Sequence, residues 1–214
     1  MRLGGLALCA LLSPSLSLAQ ATLQAKITTG ASANYTIATE ETTFGGDGKK
    51  SAQQLIKLPI AIQVLAPNQL QITSGPMFAR GRSVGRARVA TVVYSPSKPP
   101  TNYYIIIPNG GVKVGQSWKA PFYGGPPLPA GIQATYKFSK ITPDKRFAVV
   151  DMQTHHKAGA DMSGKGQFLV NLSNGLLNSG NATFTLAYVR PDQKDPKKMV
   201  VNSKTVLNVT IRPT

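Results

Sequence analysis

Two groups of side chains in this sequence have residue types and spacings that bear on chemistry. The first is Asp151, His155, His156 and Asp161, the densest cluster of potential proton carriers and ligands in the chain. A carboxylate and an imidazole held together serve acid–base hydrolysis, and three such groups can hold a metal. On an extended strand alternate side chains point to opposite faces, so Asp151, Gln153 and His155 share one face while Met152, Thr154 and His156 share the other. The two imidazoles then cannot meet on one metal while the strand stays regular, and Asp161 falls in the loop expected before the next strand. Asp151 and His155 remain as an acid–base candidate for an envelope-polymer hydrolase. A polar strand end running into a loop accounts for the same residues, so the sequence assigns no catalytic residue, no metal and no cofactor.

The second group is Arg80, Arg82, Arg86 and Arg88, four arginines within nine residues, loosened by Gly81 and Gly85. All stand at even positions, so one extended segment would carry them on one face. Guanidinium forks bind phosphate and carboxylate bidentately, which suits a lipid head group or an acidic glycan. The competing reading is a solvated loop and edge strand, where charge prevents sheets from joining edge to edge. Phe78 is the only aromatic residue near these arginines; without interleaved stacking rings, single-stranded nucleic acid is not favoured.

Other motifs fall short. Gly159 to Gly166 approaches a phosphate-binding loop, but Gly166 follows Lys165 where a magnesium-holding Ser or Thr is needed. It reads instead as a hairpin loop before a strand from Gln167 to Leu172. No Gly-x-Ser-x-Gly elbow is present. Glu40 and Glu41 are adjacent, hence on opposite faces of a strand, which is wrong for a carboxylate pair.

Strands must position all of these residues. Alternation of apolar with polar side chains recurs at Leu23-Ala25-Ile27, Tyr35-Ile37, Ile60-Ile62-Val64, Val89-Val93, Ala134-Tyr136-Phe138, Phe168-Val170-Leu172, Phe184-Leu186-Tyr188 and Leu207-Val209-Ile211. Period two is the mark of half-buried antiparallel strands. Tyr103 to Ile107 is continuously apolar, as for a strand covered on both faces. Turns are expected at Gly45–Gly48, at Pro143-Asp144 and at Asn174-Gly175, the last as a type I′ hairpin. The Pro-rich stretches 95–100 and 121–129 read as rigid loops, because proline is excluded from ladder pairing. No apolar spacing of helical period is sustained over three turns, so the expected fold is all-β: a mainly antiparallel sheet, built as a β-sandwich or a strongly curved half-barrel.

Val112-Lys113-Val114-Gly115-Gln116-Ser117-Trp118, followed by a β-rich half that includes Gly166 to Gly175, resembles a group of exported bacterial β-rich proteins of unknown function that carry a V-x-V-G-x-S-W element. The resemblance covers the C-terminal half. It implies an antiparallel sheet and export, with Gly115 turning the chain and Trp118 packing as a core anchor; a sugar-stacking role for Trp118 is the alternative. It implies no activity.

The N-terminus sets the expected compartment. Met1-Arg2, an apolar run from Leu3 to Leu12 and small-x-small sites at Ser17–Ala19 and Ala19–Ala21 form a secretory signal peptide over residues 1–21, followed by one β-rich domain over 22–214. The run is too short for the ~20 residues of a membrane span, and no later stretch is longer. Cys9 is the only cysteine and lies in this leader; a lipidation reading meets Leu8 where a small residue is required. A periplasmic or extracellular protein without disulfides is expected, long enough to build its core unaided. The net charge of +16 comes from 24 Lys and Arg against only 8 Asp and Glu. Charged residues make up 15% of the chain, below the usual ~25%, so the chain is poor in acids rather than rich in bases. Nucleic-acid binders concentrate added cations on one face, and here the excess is spread. The expectation is a non-catalytic protein with an anionic envelope component or lipid as partner; a structural or assembly module is the further alternative, and the oligomeric state stays open. With so few carboxylates to titrate, the fold should also survive acid.

Overall fold

Pro59 shows how this sequence shapes its sheet. In the computed structural model, which describes residues 22–24, 28–93, 101–102, 105–108, 110–122, 128, 132–158, 160–195 and 197–214, Pro59 sits in a long strand whose outer neighbour changes beside it. A residue with no N–H is tolerated where a ladder is interrupted. The strand is β3 (Lys50–Ala66), and the others are β1 (Thr22–Leu23), β2 (Ser32–Gly45), β4 (Gln69–Ser74), β5 (Met77–Ala79), β6 (Arg82–Val84), β7 (Arg88–Val93), β8 (Thr101–Asn102), β9 (Ile105–Ile106), β10 (Val112–Lys113), β11 (Ser117–Phe122), β12 (Ile132–Ile141), β13 (Phe147–Ala158), β14 (Ala160–Asn171), β15 (Leu177–Pro191) and β16 (Met199–Pro213). On its outer side β3 pairs β5 at Ile56 and Lys57, and then β4 from Ile60 onward.

Twelve strands form one sheet in the order β11-β12-β13-β14-β15-β16-β2-β3-β4-β7, with β5 and β6 attached beside β3. Every described pairing is antiparallel. The fold is therefore all-β, as the alternation predicts, and the sheet is open rather than closed into a barrel. It curls strongly. Phe122 of β11 stacks on Phe184 of β15 with ring centroids 5.1 Å apart, although β12, β13 and β14 lie between them in the sheet.

Glycines on the inner face make that curl possible. Gly164 lies opposite Phe184 and Gly180 opposite Phe168 in the β14–β15 register. A Cβ on Gly164 would fall 2.3 Å from the Phe184 ring, and one on Gly180 would fall 2.4 Å from the Phe168 ring. The aromatic rings occupy the volume that the glycines leave empty, a known way of combining curvature with packing. Tyr136, Phe138, Val150, Phe168, Phe184 and Leu207 are fully buried along this face. One end of the trough is filled by Leu23, Ile105, Ile107, Val112 and Leu128, which belong to the same apolar cluster. Trp118 packs against that cluster and stacks on Tyr136 at 5.4 Å, while Gly115 turns the chain at φ 87°.

Four local expectations change. In the apolar stretch Tyr103 to Ile107 the described strand is only Ile105–Ile106, which among the described residues pairs with Thr101–Asn102 alone, and Tyr103 and Tyr104 lie outside the described residues. Ala160 to Gly166 is not a loop, because β14 runs from Ala160 with Gly164 and Gly166 inside it, and Asp161 is a strand residue; Gly159 lies outside the described residues. Asn174-Gly175 does not make a type I′ turn. Only Gly175 takes positive φ there, and the Asn171 and Asn174 side chains accept bonds from the N–H groups of Ser173 and Leu176. The type I′ signature falls instead on Arg80-Gly81, with φ of 52° and 74°, between β5 and β6. The leader over residues 1–21, the strand Ala25–Ile27 and most of the Pro-rich stretches lie outside the described residues.

Candidate functional site

Two rows of inner-face residues can be followed across the sheet by register alone. One runs Ala120–Ala134–Thr154–Gly164–Phe184–Leu207–Glu41–Gln54. The next runs Trp118–Tyr136–Met152–Gly166–Ala182–Val209–Thr39–Ile56–Ala79–Arg82. Both are apolar and closely packed through β12 to β16, and both become polar at the opposite margin. The first ends in a carboxylate and an amide, the second in a guanidinium.

That margin is built from β3, β5, β6 and β7, and it is exposed. All six residues of β7 and all three of β6 are exposed. Val89 and Val93 are 64% and 68% exposed, and Phe78, Val84 and Val92 are exposed as well. By register Val84 and Val92 stand on the inner face with Arg82 and Arg88, and Phe78, Val89 and Val93 stand on the outer face. The four arginines are interspersed among these residues, but they do not form the single extended face that their spacing suggests. Arg80 occupies the tip of the β5–β6 turn, Arg82 begins β6, Arg86 follows the turn at Gly85 (φ 82°), and Arg88 begins β7. Two chain reversals within nine residues redirect them around one edge of the sheet.

Glu41 and Arg80 meet at this edge. Glu41, Thr43, Ala52, Gln53, Gln54 and Arg80 line a pocket of about 60 Å³. The Glu41 carboxylate accepts a hydrogen bond from Gln54 Nε2 at 2.5 Å, and Thr43 Oγ1 lies 3.4 Å from Thr205 Oγ1. Glu40 faces outward and accepts from Gln53, as the opposed-face reading requires. The placement of Glu41 could have been found from parity with Tyr35, Ile37 and Thr39. The turn could have been found from Arg80-Gly81, a two-residue link between short apolar segments.

The acid–base candidates lie on the other, outward face. Asp151 accepts hydrogen bonds from Ser139 and from Gln167, the latter at 2.8 Å. His155 lies four residues further along β13, about 13 Å at the rise of an extended strand. Its Nδ1 is instead 3.8 Å from the Asp161 carboxylate, and the two side chains are 59% and 50% exposed. His156 lies opposite Met162 on the inner face. Asp151 and His155 are thus not brought together, and an exposed, solvated imidazole pair lacks the desolvation that sharpens acid–base chemistry. Among the described residues no group of three His, Cys, Asp or Glu could hold a metal ion. No helix among them is long and apolar enough to cross a membrane.

No family model and no curated protein matches this sequence. A lipovitellin structure concerned with lipid–protein interactions superposes on 88% of this chain with a TM-score of 0.54 and 10% identity. The matched part is 25% of that chain, so this protein spans about a quarter of its length. At that identity the likeness is one of fold: a large, curved, open antiparallel sheet.

Proposed function

We propose that this is a non-catalytic amphiphile-binding protein that holds an anionic lipid or lipid-like ligand at the β3–β7 margin. The observation that carries the reading is the exposure of Val84 and Val92 on the same face of this margin as Arg82 and Arg88. Apolar side chains there would cover acyl chain while guanidinium groups hold phosphate or carboxylate. The likeness in fold to lipovitellin, a protein described for its lipid contacts, supports the reading. The leader pattern of residues 1–21 supports a location outside the cytoplasm, where the anionic surface would be an envelope component.

The test is co-sedimentation with vesicles of phosphatidylcholine alone and with added phosphatidylglycerol, across a salt series. Binding should be stronger on the anionic vesicles than on phosphatidylcholine alone, weaken with salt and fall further when Arg80, Arg82, Arg86 and Arg88 are all changed to Ser. Equal retention on neutral vesicles, or no retention on either, would overturn the proposal. A second reading, an assembly module, draws on the unpaired outer margin of β7 among the described residues. Joining two copies along that edge would bring eight arginines together, which costs repulsion. A monomer in sedimentation at high concentration would dismiss it.

A further inference from the structure

Glu41 is an unusual residue in its setting. The chain holds 24 Lys and Arg against 8 acids, so a carboxylate has abundant cations available to it. Glu41 nevertheless stands half-buried on the inner face, in register with buried Leu207, and its partner is the neutral Gln54 amide. Among the described residues no Lys, Arg or His side chain lies within ion-pair distance of it; the one such contact to a carboxylate is His155 with Asp161. Arg80 lines the same small pocket without closing onto the carboxylate. A carboxylate with no cation of its own chain is open to a charge-assisted hydrogen bond from a cation that arrives from outside.

The pocket beside it has the size of a small polar group. About 60 Å³ accommodates an ammonium, and its lining offers acceptors: the Glu41 carboxylate, the Thr43 hydroxyl and the Gln54 side-chain carbonyl. Arg80 provides the opposite charge at the rim. The outer edge of β3 from Lys50 to Leu55 carries no strand neighbour among the described residues, which leaves the pocket approachable from the side. Ile56 and Leu58, on the same inner face as Glu41, continue the surface away from the pocket.

We infer that this pocket recognises a primary ammonium joined by a short linker to a phosphate, the chemistry of a phosphoethanolamine head group, with Glu41 binding the ammonium and Arg80 the phosphate. The inference rests on the amphiphile reading above and sharpens it from an anionic ligand to a zwitterionic one. An ammonium donates three hydrogen bonds to such acceptors, whereas a trimethylated nitrogen donates none. The selectivity sought is therefore for ethanolamine over choline.

The experiment compares vesicles of phosphatidylcholine containing equal fractions of phosphatidylethanolamine or phosphatidylglycerol, with wild type and Glu41→Gln. Gln keeps a side chain able to bond Gln54 and removes the charge. Wild type should bind the ethanolamine vesicles roughly tenfold more tightly than pure phosphatidylcholine, and Glu41→Gln should lose that preference while keeping its binding to phosphatidylglycerol. Soluble phosphoethanolamine should displace wild type from the vesicles and phosphocholine should not; this arm needs no variant, and it separates recognition of the head group from recognition of a bilayer. Displacement absent while vesicle preference persists would assign the preference to the bilayer and overturn the pocket assignment. Binding to phosphatidylglycerol with no ethanolamine preference, or a preference that survives Glu41→Gln, would overturn this inference and leave the anionic reading standing. No binding to any vesicle would overturn both.

Discussion

The two ends of this sheet are made from the same alternating pattern and do opposite things with it. From β12 to β15 the inner face carries Tyr136, Phe138, Phe168 and Phe184 against Gly164, Gly166 and Gly180, and curvature brings β11 back over β15. At the β5–β7 end the same face carries Val84, Val92 and Arg82, and nothing among the described residues covers them. The difference lies in residue size. Glycine opposite phenylalanine lets the sheet bend until the rings meet, so the apolar surface is buried within the chain. The margin has no such glycine–ring pairs and stays exposed.

Substitutions should separate the two ends by size of effect. Phe184→Ala removes a ring that fills the space over Gly164 and stacks on Phe122, and it should cost about 3–5 kcal/mol in urea unfolding. Gly164→Val places carbon where that ring stands and should cost about 3 kcal/mol. A smaller loss would mean that the curl is set elsewhere. Tyr136 gives an intermediate effect through pH. Burial pushes its phenol well above the ordinary range, so its contribution is complete below about pH 10 and is lost as pH rises past that value, by about 1.4 kcal/mol per pH unit. Tyr136→Phe should flatten this alkaline decline relative to wild type, and matching declines would dismiss the role.

At the margin, changing Val84 to Ser should alter stability by no more than about 0.5 kcal/mol, while lowering vesicle retention. A loss of several kcal/mol would show that the strand is structural. The smallest effect belongs to Asp144, in the β12–β13 turn. The Thr142 hydroxyl, with the Arg146 N–H second, holds its carboxyl below the ordinary value. A lowered folded pKa stabilises above the ordinary carboxylate range and ceases to do so as pH falls through the folded value. The difference in unfolding midpoint between wild type and Asp144→Asn should accordingly vanish in strong acid. With only eight acids in the chain, the whole fold should persist at pH 3, and a transition between pH 5 and 4 would contradict that.

Much of this molecule follows from local rules. Alternation in Ala134 to Phe138 or Leu207 to Ile211 states which side chains share a face, because the period of a strand is two whatever its neighbours are. The turn around Asp144 is legible because proline and aspartate favour it locally. The opposed faces of Glu40 and Glu41, and of His155 and His156, follow in the same way. Tyr103 to Ile107 misled because a run of apolar residues states burial and not what its strand pairs with. Ala160 to Gly166 misled because glycines read as loop until the rings that cover them are known. The arginine spacing misled because Arg80-Gly81 and Gly85 turn the chain between its members.

The sequence alone determined the strand periodicity, the all-β class, the scarcity of acids and the leader pattern, since each is a property of neighbours along the chain. The tertiary structure alone decided that β16 lies beside β2, that Phe122 reaches Phe184, and that Glu41 ends a row begun at Ala120. Those facts depend on pairings between residues far apart in sequence. Such pairings are chosen by the total burial of the closed-up sheet, and no short window of residues contains that sum.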